Sequence, residues 1–272
     1  MFGLFRGGKK SSAPALGPAP IGLGAENWKE LMSGNVAYVN GKKHATVNEN
    51  MPQHRKANSE SQLPLAGIVA CSDSRVVPEL IFNQGLGRLF TCVTAGNVVD
   101  SLVVGSLEFA VTVLQVKLIV VMGHTRCGAC VAAVGAAKDG TEPVTRPGLV
   151  KLVHMSGNNS SPPPPPPPPP AGHLEGLVGC LVPPARAAVE SGLPSDKLVD
   201  ETSRRNAIYG AEAIITMSEK LKERFNKGEL TVIAAQYDIV TGEVTPIHTF
   251  YPNKTLSEQG NEAVEMYNVV YN

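Results

Sequence analysis

The sequence predicts an α/β fold, a mostly parallel central β-sheet flanked by helices and preceded by an N-terminal helical arm. Three observations carry that expectation. Apolar, β-branched runs of strand length recur at residues 65–70, 88–93 and 117–122. Helix-like stretches separate them, and such a βαβαβ alternation demands crossover connections and therefore parallel strands. Finally, the two motifs richest in reactive side chains, IVACSDSR and LIVVMGHTRCGAC, stand at the ends of two of these runs. Open parallel sheets bind ligands at that end of the strands, beside a topological switch point.

Taken in order, residues 1–25 hold Arg6, Lys9 and Lys10, no acid, and many Gly, Pro, Ala and Ser. They lack the apolar segment of a secretory signal, so a flexible arm is expected, with an organellar targeting segment as the alternative. From Glu26 the run ENWKELMSGNVAYV places Trp28, Leu31, Met32 and Tyr38 on one side of a helix. On that side Trp28 would cover its own core. Residues 41–62 are polar and read as a surface connection in which His44 and His54 have no paired ligand.

The strand at 65–70 leads through CSDSR into a helix over 76–83, where Pro78 fits the first turn because its missing N–H is not needed there. The strand at 88–93 is followed by a loop at AGN and an apolar helix from Asp100 or Ser101 to about Leu114; residues 117–122 supply the next strand. Cys127 should open the helix after it, where the positive dipole end favours a thiolate. Beyond that helix the pattern dissolves into KDGTEPVTRPG, SGNNSS and nine prolines at 162–170. Such a tract favours polyproline II, at roughly 3.1 Å per residue, and cannot enter a helix or a central strand. Residues 156–171 are therefore expected to form a surface insertion, either a semi-rigid spacer or a ligand for an aromatic groove on a partner protein.

Helical character resumes at GLVGCLVPPARAAVES and runs from Ser195 through Phe225, with Asp196 as N-cap and Gly228 as the stop. Residues 230–237 and 243–247 read as strands joined at Thr241 and Gly242. A polar tail follows at 253–272, leaving residues 26–252 as one domain.

Composition narrows the function classes. Twenty-four basic and 24 acidic side chains balance to zero, so no long-range field draws in nucleic acid or an anionic membrane. No apolar run is long enough to span a bilayer. The five cysteines are scattered and odd in number, which suits a reducing compartment, cytoplasmic or organellar, better than a disulfide framework.

The chemistry concentrates in the two motifs. CSDSR offers Cys71, Asp73 and Arg75 at alternate positions; GHTRC offers His124 and Cys127 three apart. Two sulfurs, one imidazole and one carboxylate make a plausible shell for zinc, which in catalytic sites keeps one position for water beyond three protein ligands. Cys92, Cys130 and Cys180 are left over and read as small buried hydrophobes, with Cys130, one helical turn past Cys127, as a substitute ligand.

At these residues the sequence resembles the β-class carbonic anhydrases. The resemblance rests on CSDSR, PELIFNQGLG, AGN, GSLEFAV and GHTRCGA, with weaker echoes in LMSGNVAYVNG and AAQYDIVTGEV, and so runs from Trp28 to Val244. It implies zinc bound by Cys71, His124 and Cys127, and a catalytic dyad of Asp73 and Arg75. It implies reversible hydration of carbon dioxide to bicarbonate and a proton by zinc-bound hydroxide, in a homodimer or larger homo-oligomer whose N-terminal helix packs on the neighbour. Gln84, in a register about one residue off, and Gly128 are placed on the substrate side. Without Arg75 the Asp73 carboxylate would be able to close on the metal, as the family is known to do. This chain departs from the family in reading Val93 where many members have Arg, and Arg88 where an acid is common. The first change implies the absence of a regulatory bicarbonate pocket. Two other readings share these residues: a carbonyl sulfide or carbon disulfide hydrolase, and a non-catalytic zinc-containing assembly protein that uses the proline tract.

Overall fold

A computed structural model of the chain describes residues 22–42, 52–141 and 172–252. The arm before Gly22, His44, the proline-rich insertion and the tail beyond Pro252 lie outside the described residues.

A five-stranded sheet of order β2-β1-β3-β4-β5 forms the centre. Its strands are β1 (Ala66–Cys71), β2 (Leu89–Thr94), β3 (Leu118–His124), β4 (Thr231–Tyr237) and β5 (Val244–Thr249). The first four run parallel and β5 antiparallel to β4, the mostly parallel sheet that the alternation predicts. Every residue of β1 and β3 is buried, as expected of inner strands covered on both faces. The chain leaves β1 for β2 on one side and then returns to place β3 on the other. That reversal opens a crevice at the carboxyl ends of β1 and β3, and Cys71 and His124 are the last residues of those two strands.

Helices cover both faces. On one, α1 (Ala25–Val39) buries Trp28, Leu31 and Met32 against Ile68, Val120 and Ile233, so Trp28 covers its own chain's core. Asn35 ties this helix down: its Nδ2 donates to the carbonyls of Ile81 and Gly242, and its Oδ1 accepts from the Val244 amide. A short exposed helix, α2 (Pro52–Ala57), occupies part of the connection read as irregular. α3 (Pro78–Ile81) is a single turn, shorter than expected, because the backbone turns out at Asn83 with φ of 50°.

The opposite face is covered by α4 (Ser101–Thr112), α8 (Leu198–Met217) and α9 (Glu219–Asn226). Asp100 caps α4 by accepting from the Leu102 and Val103 amides. Between α5 (Gly128–Lys138) and α8 lie α6 (His173–Gly179) and α7 (Val182–Glu190), which share a smaller core around Leu181 and Ala185.

Two expectations need correction here. The helix read from Ser195 through Phe225 is two helices. Ser218 takes extended dihedrals between them, its Oγ accepting from the Leu221 amide and donating to Glu108 Oε1 at 2.6 Å. The bond to Glu108 spans distant parts of the sequence, so no local pattern announces it. Asp196 does not cap α8 either: Lys197 is at the N-cap position without a side-chain bond, and Asp196 faces the Lys197 ammonium instead. Gly228 does end α9, at φ of 71°, and Gly242 makes the β4–β5 turn. Among the described residues no helix is long and apolar enough to cross a membrane.

Candidate metal centre

Three elements deliver three donor atoms to one point. Cys71 ends β1, His124 ends β3, and Cys127 is the N-cap residue of α5. Their ligand atoms all lie within 4.8 Å of one another, and no other such group of three occurs among the described residues. All three are buried, His124 and Cys127 completely.

The imidazole is oriented for ligation. Its Nδ1 lies 2.9 Å from the Thr125 carbonyl oxygen, which can only accept, so Nδ1 carries the hydrogen and Nε2 presents its lone pair. That Nε2 is buried with no hydrogen-bond partner among the described residues, an expensive state that a cation would relieve. Cys71 Sγ accepts a hydrogen bond from the Gly96 amide at 3.2 Å. Gly96 holds φ of 64°, and a Cβ there would press on Leu181 and Ala129, which explains the glycine in AGN.

Burial and crowding set the protonation of the thiols. Cys71 is pushed up to about 12, first by its hydrogen bond with Cys127 and then by burial. Cys127 is pushed up to about 11, chiefly by its neighbour Cys130 and by burial. The dipole at the start of α5 is thus outweighed, contrary to the expectation of a ready thiolate. A divalent cation would reverse this by displacing the protons. The donor set, one free imidazole nitrogen and two converging sulfurs, fits zinc.

Cys130 packs against Cys71 and Cys127 but is not one of the three converging donors. Cys92 and Cys180 are buried thiols in apolar surroundings, as read.

Beside the trio, Asp73 is clasped by Arg75. Arg75 Nε donates to Oδ1 at 2.8 Å and Nη2 to Oδ2 at 2.6 Å, while its backbone amide donates to Oδ1 at 3.0 Å. The guanidinium holds the carboxyl well below the usual carboxylate range. Of the other expected residues, Gly128 is exposed with open space around it. Gln84 is buried in its own chain, its Nε2 donating to the Phe82 carbonyl at 3.1 Å.

Sequence reading missed the support from α8. Asp200 Oδ1 accepts from the Arg126 amide at 2.8 Å, Ser203 Oγ from the His124 amide at 2.9 Å, and Asn206 Nδ2 donates to the Gly96 carbonyl at 2.7 Å. Their spacing of three was the sole signal, and polar residues at that spacing are common on helices.

An open, mostly parallel sheet with a buried Cys-His-Cys trio at its switch point defines a class of α/β proteins with a cluster that could hold a metal ion. Comparison then narrows the class. A family model described as carbonic anhydrase matches residues 66–159. Carbonic anhydrase 2 of Mycobacterium tuberculosis is 35% identical over 216 residues, covering 79% of this chain and 88% of that protein. A carbonic anhydrase of Mycolicibacterium smegmatis is 44% identical over 117 residues, 43% of this chain and 55% of the relative. The solved β-carbonic anhydrase CcaA superposes with a TM-score of 0.56 at 19% identity, covering 83% of this chain and 99% of that one. One of two tetrameric β-carbonic anhydrases of Sordaria macrospora gives 0.55 at 20%, covering 82% and 97%. The chain belongs to the carbonic anhydrase family, in its β class.

Proposed function

We propose that this protein is a carbonate dehydratase that interconverts carbon dioxide and bicarbonate at a zinc ion held by Cys71, His124 and Cys127. The observation that carries the reading is the pairing of that buried trio with a carboxylate restrained by a guanidinium.

When bound, the zinc supplies Lewis acidity that makes a hydroxide nucleophile available near neutral pH. Asp73 would accept a hydrogen bond from that nucleophile on a remaining carboxylate lone pair and so orient its oxygen toward the substrate carbon. Hydration would join that oxygen to the carbon of carbon dioxide as one C=O pair moves onto oxygen, giving bicarbonate, with the proton taken from water passing to buffer. Arg75 occupies both carboxylate oxygens, which in this reading keeps the Asp73 carboxylate oriented and held back from the donor trio. The exposed backbone at Gly128 supports an approach for the small substrate on that side. Gln84 lines the cavity in this reading, its amide already fixed by the Phe82 carbonyl.

The functional unit proposed is a homodimer or larger homo-oligomer. Support comes from α4, where Leu102, Phe109 and Val113 leave an exposed apolar stripe beside the edge strand β2. Val93, half-exposed in β2, stands where a regulatory bicarbonate pocket would need its arginine; simple saturation kinetics without cooperative inhibition by bicarbonate is the expected behaviour.

Metal analysis with stopped-flow hydration of carbon dioxide, on wild type and Asp73→Ala, tests the reading. About one zinc per chain is expected, with the variant keeping its metal while losing most turnover. Zinc without hydration in the wild type would sink the proposal, and sulfide release from carbonyl sulfide in the same assay would redirect it.

A further inference from the structure

A single helix contacts the backbone beside each of the three candidate ligands. Asp200, Ser203 and Asn206 are spaced three apart on α8 and cover roughly 9 Å of its axis at 1.5 Å per residue. Their targets lie on two segments, the end of β3 with the turn after it and the AGN turn after β2. Arg126 immediately precedes Cys127, His124 is itself a donor, and Gly96 is the residue whose amide reaches Cys71 Sγ.

Two features show that these bonds hold something in place. Arg126 has φ of 58°, a left-handed conformation that a residue with a Cβ adopts only when its surroundings impose it. The Asp200 carboxylate grips that residue's amide. Ser203 is completely buried and lies so close to β3 that a Cβ on Gly123 would fall 2.7 Å from its Oγ. The helix cannot shift there without breaking contact with the His124 strand. Packed along β3, β4 and α7, the 20-residue α8 is a long, rigid body from which to fix both segments.

We infer that Asp200, Ser203 and Asn206 are positioning residues that bring the two sulfurs and the imidazole into register before the metal arrives, and so set how tightly and in what geometry it is bound. This rests on the metal centre proposed above. The bonds that the three make to these segments all go to backbone N–H or C=O groups, so they act through the backbone.

The test uses the full-length protein, stripped of metal and titrated with zinc against a chromophoric chelator, then loaded with cobalt(II) to read the thiolate charge-transfer and ligand-field bands. Asp200→Ala and Ser203→Ala should each weaken zinc binding by about ten-fold or more and alter the cobalt spectrum. Asp200→Asn keeps an oxygen acceptor for the Arg126 amide and should restore both. Thr202→Val is the control. Thr202 is just as buried and on the same helix, yet its hydroxyl donates only to the Leu198 carbonyl within α8, so its affinity and spectrum should match wild type. Should Ser203→Ala fail to fold, Asp200→Ala carries the test, because the bond it removes is at the surface. Wild-type zinc affinity and an unchanged cobalt spectrum in Asp200→Ala would overturn the inference, as would an equal loss in Thr202→Val. A wild-type chain that takes up no zinc would overturn the metal centre itself, and this inference with it.

Discussion

Arg75 grips both carboxylate oxygens of Asp73, two residues before it, with Nε at 2.8 Å and Nη2 at 2.6 Å. The contact is short-range in sequence yet two-pronged, and a lysine cannot reproduce it because an ammonium is a single point of charge.

Removing that grip should act through geometry. An Asp freed of its partner titrates near 3.9, so Asp73 stays ionised at neutral pH with or without Arg75. Arg75→Ala is therefore expected to lower kcat/KM by about 10- to 100-fold, with a loss that raising the pH from 7 to 9 does not repair. Arg75→Lys should recover little. Stopped-flow hydration across that range checks both.

Metal removal should destabilise the protein. With both thiols protonated and His124 Nε2 buried without a hydrogen-bond partner among the described residues, the metal-free centre carries a desolvation cost that a cation would offset. Chelation should lower Tm by several degrees, and stoichiometric zinc should restore it. Because Cys71 and Cys127 stand at about 12 and 11, zinc uptake at pH 7 should also release a proton from each thiol, readable with an indicator dye.

Glu212 should make stability fall as pH rises. It is 2% exposed on α8, its Oε2 has no hydrogen-bond partner among the described residues, and burial pushes its carboxyl up to about 8 from 4.5. The folded state thus keeps a proton that the unfolded chain gives up above pH 4.5. Its contribution is complete below that pH, declines through the interval and is gone above about 8. Glu212→Gln removes the dependence. Relative to wild type it should gain on the order of 3–5 kcal/mol between pH 4.5 and 8.5, measured by urea unfolding at both ends.

Gly34→Ala should invert the usual helix rule. In an exposed helix the change would stabilise by about 1 kcal/mol. Here a Cβ on Gly34 would run into the carbonyl group of Phe82, so α1 cannot pack on the segment after α3 unless one of them moves. A loss of about 1–3 kcal/mol is expected, seen as a lower urea midpoint.

The order and type of the strands were legible because a buried parallel strand writes itself as an unbroken β-branched run, and β1 and β3 are such runs. The helix break at Ser218 was not, since the cause is Glu108, 110 residues away. Asp196 looked like a cap from its residue type, but Lys197 occupies that position and Asp196 lies outside the helix.

For the site, residue chemistry offered Cys71, Asp73, Arg75, His124 and Cys127, and the motif resemblance gave them their roles, because ligation and ion pairing depend on side-chain type and short motifs preserve it. That the three donors meet was decided by the sheet order, which sets the ends of β1 and β3 side by side. The protonation of the thiols followed from burial among one another, where the helix dipole alone predicted the reverse. The polar stripe of α8 has meaning only against the segments it touches, and those come from positions 74 to 110 residues distant. Local chemistry is encoded locally, whereas convergence, burial and support are properties of packing that no stretch of sequence carries by itself.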